Sequence, residues 1–198
     1  MLKEFASSLR PALVMTGLFA LLLGLAYPAA ITAVAQVAFP AQANGSLLAV
    51  NGKVVGSRLI GQGFASPRYF HGRPSAAGSG YDASASSGSN LGPASQALQS
   101  RVRDALKAMP TSPGATVPPD LVTTSASGLD PHISPEAAFY QIPVVAANRH
   151  LHQATVRTLV EAHVEQPLFG VLGEPRVNVL QLNLALDAMT ASGAHRPS

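Results

Sequence analysis

Few side chains in this 198-residue chain are of types that do chemistry, and their spacing limits what they can do. Ser125-Ala126-Ser127-Gly128, with Asp130 and His132, supplies the three residue types of a serine hydrolase. A triad is built by proximity in space, and neighbours in one loop are poor evidence for one. The same residues, with Pro131, build turns. His150, His152 and His163 invite a metal reading, but on one helix His152 and His163 would stand roughly 16 Å apart and could not share an ion. Gly52-Lys53 is followed by Val54, not by the Ser or Thr of a phosphate-binding loop. No G-x-S-x-G elbow occurs. The chain has no Cys, which removes thiolate metal sites, disulfides and a Cys nucleophile. On this reading the sequence encodes no catalytic site and no metal site of its own.

The elements that would position any site begin with an apolar stretch. Residues 12–35 read ALVMTGLFALLLGLAYPAAITAVA, and no charge occurs between Arg10 and Lys53. At about 1.5 Å per residue this run can cross a hydrocarbon core of about 30 Å. Ala41-Gln42-Ala43 has the small-x-small pattern of a signal-peptide cleavage site, but the run exceeds the about 7–15 residues of a signal core. A retained anchor is therefore the reading adopted, over a cleaved leader or a buried core helix. Lys3 and Arg10 precede the span and no Lys or Arg follows before Lys53, so positive-inside bias puts the N-terminus in the cytoplasm and the large domain outside. Thr16, Ala20 and Gly24 recur every four residues as a stripe of small side chains, the pattern by which helices approach closely in lipid.

The expected organisation is a cytoplasmic N-terminus (1–11), a transmembrane helix (12–35), a linker (36–46), one extracytoplasmic domain (47–191) and a frayed tail (192–198). The fold class is α+β: one N-terminal transmembrane helix followed by a single loop-rich mixed α/β domain, long enough to bury a core. The formal charge of +3 is spread along the chain. Its densest set, Arg101, Arg103 and Lys107, suits one exposed helix face rather than a nucleic-acid stripe.

Within the domain, Asn51-Gly52 between apolar runs predicts a hairpin, which Leu59-Ile60 would extend. Residues 61–95 have a linker's composition, yet Phe64, Tyr69, Phe70 and Tyr81 run through them. Aromatics are unusual in disordered linkers, so the segment is read as an ordered loop pinned by its rings and a surface for partner contact. Ser95 caps a helix to Met109, and Val117–Thr124 reads as extended. Ser134-Pro135 starts a helix over 135–141, and Pro143 opens a second to Arg149. A helix covers His152–Glu165, and 177–187 reads as a strand, then a helix capped near Asn178.

Several stretches then carry a resemblance. They are Gly56-Ser57-Arg58-Leu59-Ile60-Gly61-Gln62, Tyr69-Phe70-His71-Gly72-Arg73-Pro74-Ser75, Ser86-Ser87-Gly88-Ser89-Asn90-Leu91-Gly92-Pro93, Pro119 through Pro131, Ile133 through Ala138, and Val177 through Asp187. In this order, after one apolar span, they resemble the C-subunit family of Kdp-type potassium-transporting P-type ATPases. The resemblance implies a non-catalytic subunit of a bacterial inner-membrane importer. Its partners would be a potassium-binding channel-like subunit, a P-type ATPase subunit and a small single-span subunit. It implies a role in assembly and in raising ATP affinity, with ATP held at most in a transient ternary complex with the ATPase subunit. Gln141 is a nucleotide candidate through the resemblance alone. Two departures occur: Val144 follows Gln141-Ile142-Pro143 where the family usually has Arg, a charge lost or shifted to Arg149, and Ala94-Ser95 replaces a common Thr-Asn. The alternative is a free-standing anchored or secreted extracytoplasmic binding protein or hydrolase.

Overall fold

The computed structural model describes residues 2–109 and 116–193. The chain divides into two compact units, residues 1–47 and the remainder from Leu48. The first is helical: α1 (Leu2–Leu21), a π turn (Leu22–Ala26), α2 (Tyr27–Ala38) and the single turn α3 (Pro40–Ala43). The π turn has a local cause. Pro28 has no N–H, and its ring would collide with the Gly24 carbonyl in an unbroken α-helix. The backbone widens just ahead of it, with Tyr27 N–H bonding back five residues to the Leu22 carbonyl. Ser7–Ala38 is long and apolar enough to cross a membrane, and none of its most apolar window is buried within the chain, unlike a soluble core helix. The expected linker is not wholly irregular. It holds α3, and the Asn44 amide nitrogen donates to Gln36 Oε1 at 3.0 Å.

The next elements are the hairpin strands β1 (Leu47–Val50) and β2 (Lys53–Ser57), which belong to the second unit from Leu48 onward. Asn51 and Gly52 take φ of 50° and 77°, the left-handed pair that a two-residue hairpin turn needs. Leu59-Ile60 forms a turn and adds no strand. Residues 58–95 contain no helix or strand. Helix α4 (Gln96–Ala108) starts where Ser95 Oγ accepts from Leu98 N–H. It buries no residue fully, and Arg101 is half-buried while Arg103 and Lys107 are exposed. Where an extended run was expected, Pro119–Leu121 makes a 3-10 turn, because consecutive prolines fix φ near the helical value.

Three short strands, β3 (His132–Ile133), β4 (Val164–Glu165) and β5 (Arg176–Asn178), form an antiparallel sheet in the order β3-β5-β4. Ile133 and Val164 both pair with Val177, which is fully buried. Helix α5 (Pro135–Arg149) is one element rather than two, with Pro143 inside it. An interior proline costs about 3 kcal/mol. Burial of Ala137, Ala138, Ile142, Val145 and Ala146 along the same helix outweighs that cost. Helices α6 (Gln153–Ala162) and α7 (Val179–Gly193) complete the unit, α7 capped by Asn178 Oδ1 accepting from Gln181 N–H at 3.1 Å. Ser192 and Gly193 thus end a helix, and 194–198 of the expected tail lie outside the described residues. The core unites Phe70, Ile142, Val145, Val156, Val160, Val177, Leu182 and Leu186.

Candidate functional site

The irregular segment 58–95 must satisfy its backbone groups without a ladder. Side chains from α5 and α7 supply the partners. Asn183 Oδ1 accepts from Phe70 N–H and its Nδ2 donates to the Phe70 carbonyl, both at 2.9 Å. One residue on, Gln141 Oε1 accepts from His71 N–H at 2.8 Å, and its Nε2 donates to the carbonyls of His71 (3.1 Å) and Ala137 (3.2 Å). Each amide imitates a neighbouring strand for one residue. Arg149 Nε donates to the Arg68 carbonyl at 2.8 Å, and Tyr69 Oη donates to Asp187 Oδ2 at 3.1 Å. Four consecutive residues, Arg68 to His71, are fixed in this way.

Arg149 closes the back of this arrangement. It is only 8% exposed, pairs with Asp187 Oδ1 at 2.6 Å, and lies 4.6 Å above the Tyr69 ring centroid. Its Nη2 has no hydrogen-bond partner among the described residues. The guanidinium is therefore committed to structure, and it does not replace a cation at position 144. Val144 instead lines the wall of the adjacent cavity.

That cavity, about 450 Å³, is the candidate site. Phe64, Tyr69, Tyr81 and Tyr140 provide its rings, with Pro67, Pro74, Met109, Leu121 and Val145 beside them. Phe64 and Tyr69 stack tilted, with centroids 5.5 Å apart. Tyr81 Oη donates to the Arg73 carbonyl at 2.5 Å, and its burial raises the phenol above its ordinary range, so it stays a neutral donor. A cavity of this size with a few fixed polar groups suits an organic ligand or an inserted side chain.

The structure therefore brings together Phe64, Tyr69, Tyr81 and Gln141, four residues that the sequence separates by up to 77 positions. It sets Phe70 apart. Phe70 has no exposed surface and lies in the core behind the cavity, so it offers no surface to a partner. Thr16, Ala20 and Gly24 stand exposed on the first unit, and a Cβ on Gly24 would meet nothing within 4 Å. Asn183, Asp187 and Arg73 escaped the sequence reading. The one trace of Asn183 is a polar residue among Leu180, Leu182 and Leu186 on an apolar helix.

The hydrolase constellation does not assemble. His132 N–H donates to Asp130 Oδ1 at 3.0 Å and its ring Nδ1 lies 3.5 Å from the same oxygen, whereas Ser127 Oγ accepts from Leu129 N–H. Arg73 Nη1 sits 3.8 Å from the other Asp130 oxygen while the rest of its guanidinium binds Thr123 and Thr124. This is a loop clasp. The four-residue turn Ser125–Gly128 lies so close to its neighbours that a Cβ on Gly128 (φ 67°) would stand 2.6 Å from the Ser87 carbonyl oxygen. His150 and His152 are helix-end residues of α5 and α6, and the His163 ring Nδ1 meets the Leu159 carbonyl at 2.8 Å. No cluster of three metal-ligating side chains exists among the described residues.

Residues 9–188 match the family described as "KdpC: K+-transporting ATPase, c chain". The chain belongs to that family. It is 62% identical over 184 residues to the potassium-transporting ATPase KdpC subunit of Caulobacter vibrioides, covering 92% of this chain and 93% of the relative. The corresponding subunit of Gemmatimonas aurantiaca is 56% identical over 187 residues, covering 93% and 94%. The matched range runs through the apolar helix, the pinned loop and most of α7, so both units fall within the family pattern.

Two outcomes follow from the clasp and the amide pairs. Asn183→Leu leaves the Phe70 N–H and carbonyl unpaired in the core, at about 1–3 kcal/mol for each. Denaturant unfolding of the full chain in detergent should show a loss of about 2–6 kcal/mol, and Gln141→Leu a smaller loss because His71 is only half-buried. The His132 ring, then its backbone N–H and Arg73, hold the Asp130 carboxyl below the usual carboxylate range, against partial burial that raises it. Its contribution to stability is therefore complete above about pH 4 and is lost as pH falls through the lowered value. The Tm difference between wild type and Asp130→Asn should therefore shrink steadily as pH falls below the ordinary carboxylate range.

Proposed function

We propose that this chain is the non-catalytic accessory subunit of an ATP-driven, high-affinity potassium importer in a bacterial inner membrane. The observation that carries the reading is the family match over residues 9–188. In this reading the Ser7–Ala38 helix anchors the chain with its N-terminus in the cytoplasm, and the domain from about residue 47 lies outside. The partners are the potassium-binding channel-like subunit, the P-type ATPase subunit and the small single-span subunit. The chain supports their assembly, its Thr16-Ala20-Gly24 stripe packing against a partner helix.

The ATP effect is indirect. ATP is cytoplasmic, and an external domain reaches it only through partner subunits, as a coupling free energy of about 1–3 kcal/mol, or roughly 5- to 150-fold in affinity. The hydrogen bonds of Gln141 support this. Both N–H groups of its amide are already donated to backbone carbonyls, so Gln141 serves by holding the loop that frames the aromatic cavity. Phe64, Tyr69 and Tyr81 then present the contact surface. ATP remains bound to the ATPase subunit, with this chain in a transient ternary complex.

A single experiment tests place and role together. Cys-free wild type and the single-Cys variants Ala43→Cys and Glu161→Cys are expressed in a host lacking its own copy and grown on micromolar potassium. Growth should depend on the chain. Both cysteines should react in intact cells with a thiol reagent that does not cross the inner membrane. Growth without the chain would contradict the accessory role, and protection of both cysteines until lysis would contradict the external domain.

A further inference from the structure

The hairpin tip between β4 and β5 has no explanation within the chain. Leu168, Phe169, Val171 and Leu172 are exposed by 62, 84, 79 and 60%, and Phe169 and Val171 are the most exposed large apolar residues described after position 38. The tip is nevertheless ordered. Leu168 and Leu172 exchange backbone hydrogen bonds at 3.0 Å in both directions, and the Arg176–Glu165 ion pair, at 3.0 Å, braces the strands below. Phe169 adopts φ 55°, the left-handed region that a bulky side chain rarely occupies. With Gly170 at φ 74° it forms the hydrogen-bonded turn of the hairpin, which explains the backbone but not the choice of a phenylalanine there. The ring itself gains no burial within the chain.

The flanking charges select among possible occupants. Loops that enter a lipid surface surround their apolar tip with Lys, Arg, Trp or Tyr. Between Val164 and Arg176 this segment has none of these, and its charged flanks are Glu165 and Glu174. Arg176, the nearest cation, is already paired with Glu165. Carboxylates are repelled by an anionic leaflet but suit a protein recess whose rim is basic. An aromatic anchor inserted into a dry pocket with a polar rim is the arrangement that concentrates binding energy at protein interfaces.

We infer that the Leu168–Leu172 tip is a docking plug: Phe169 enters an apolar recess with a basic rim on another subunit of the potassium-transporting complex, and Glu174 faces that rim. The inference rests on the proposed subunit role. Phe169→Asn tests it, because Asn tolerates the left-handed backbone and removes the ring. The complex is isolated from membranes through a tag on the ATPase subunit. The variant chain should keep a wild-type or higher unfolding midpoint and yet co-purify at a level reduced tenfold or more. In parallel, Phe169→benzoylphenylalanine in the assembled complex should, on irradiation, give an adduct with another subunit. Equal recovery of wild type and Phe169→Asn would overturn the plug while leaving the subunit role intact. Adducts only with lipid or with a second copy would also overturn it. Failure of the wild-type chain itself to co-purify would overturn the subunit role and the plug together.

Discussion

The second unit depends on a substitution of side-chain amides for a β-ladder. Buried backbone N–H and carbonyl groups require partners, and the 38 residues from Arg58 to Ser95 form no strand to provide them. Asn183 on α7 and Gln141 on α5 each offer one donor–acceptor face at the spacing of a peptide group, and they take consecutive residues, Phe70 and His71. The Phe70 ring then fills the core between the helices. Further along the loop the Arg73 clasp and the bonds from Ser75 and Ser87 to the 125–129 turn take over, so the aromatic cavity is framed by both sets of contacts.

The loop and the cavity therefore divide the work between rigidity and access. Behind the loop lies a buried cation: Arg149 is paired with Asp187, stacked on Tyr69 and hydrogen-bonded to the Arg68 carbonyl. Removing a partner from such a group is costlier than never having built it. In front lies an open, ring-lined cavity whose polar groups are mostly engaged with the chain itself. The rings of Phe64, Tyr69 and Tyr81 thus stand at the front of a loop that is held from behind.

Local signals in the sequence were legible because a few adjacent residues decide them. Asn51-Gly52, the caps at Ser95, Ser134 and Asn178, and the starts of the helices that follow those caps appear where the sequence places them. What the sequence hid was decided over distance. Of the three-stranded sheet only β5 was expected; β3 and β4 are two residues long, too short for any alternation to register. Pro143 reads locally as a helix start, but burial of the flanking Ile142 and Val145 carries α5 across it. Phe70 is one aromatic among several in a polar stretch, and only the position of Asn183, 113 residues later, sends it inward. Nothing local in the sequence marks Gln141 as the partner of His71, 70 residues away.

Amide hydrogen exchange on the full chain in detergent tests the central claim most directly. If the two amides act as a surrogate strand, the Phe70 and His71 N–H groups exchange only when the unit unfolds as a whole, as slowly as Val145 in α5 and Leu186 in α7. Exchange of Phe70 and His71 at the rate of exposed loop residues such as Ala83 would contradict the account, since the loop would then open without disturbing the helices that are said to hold it.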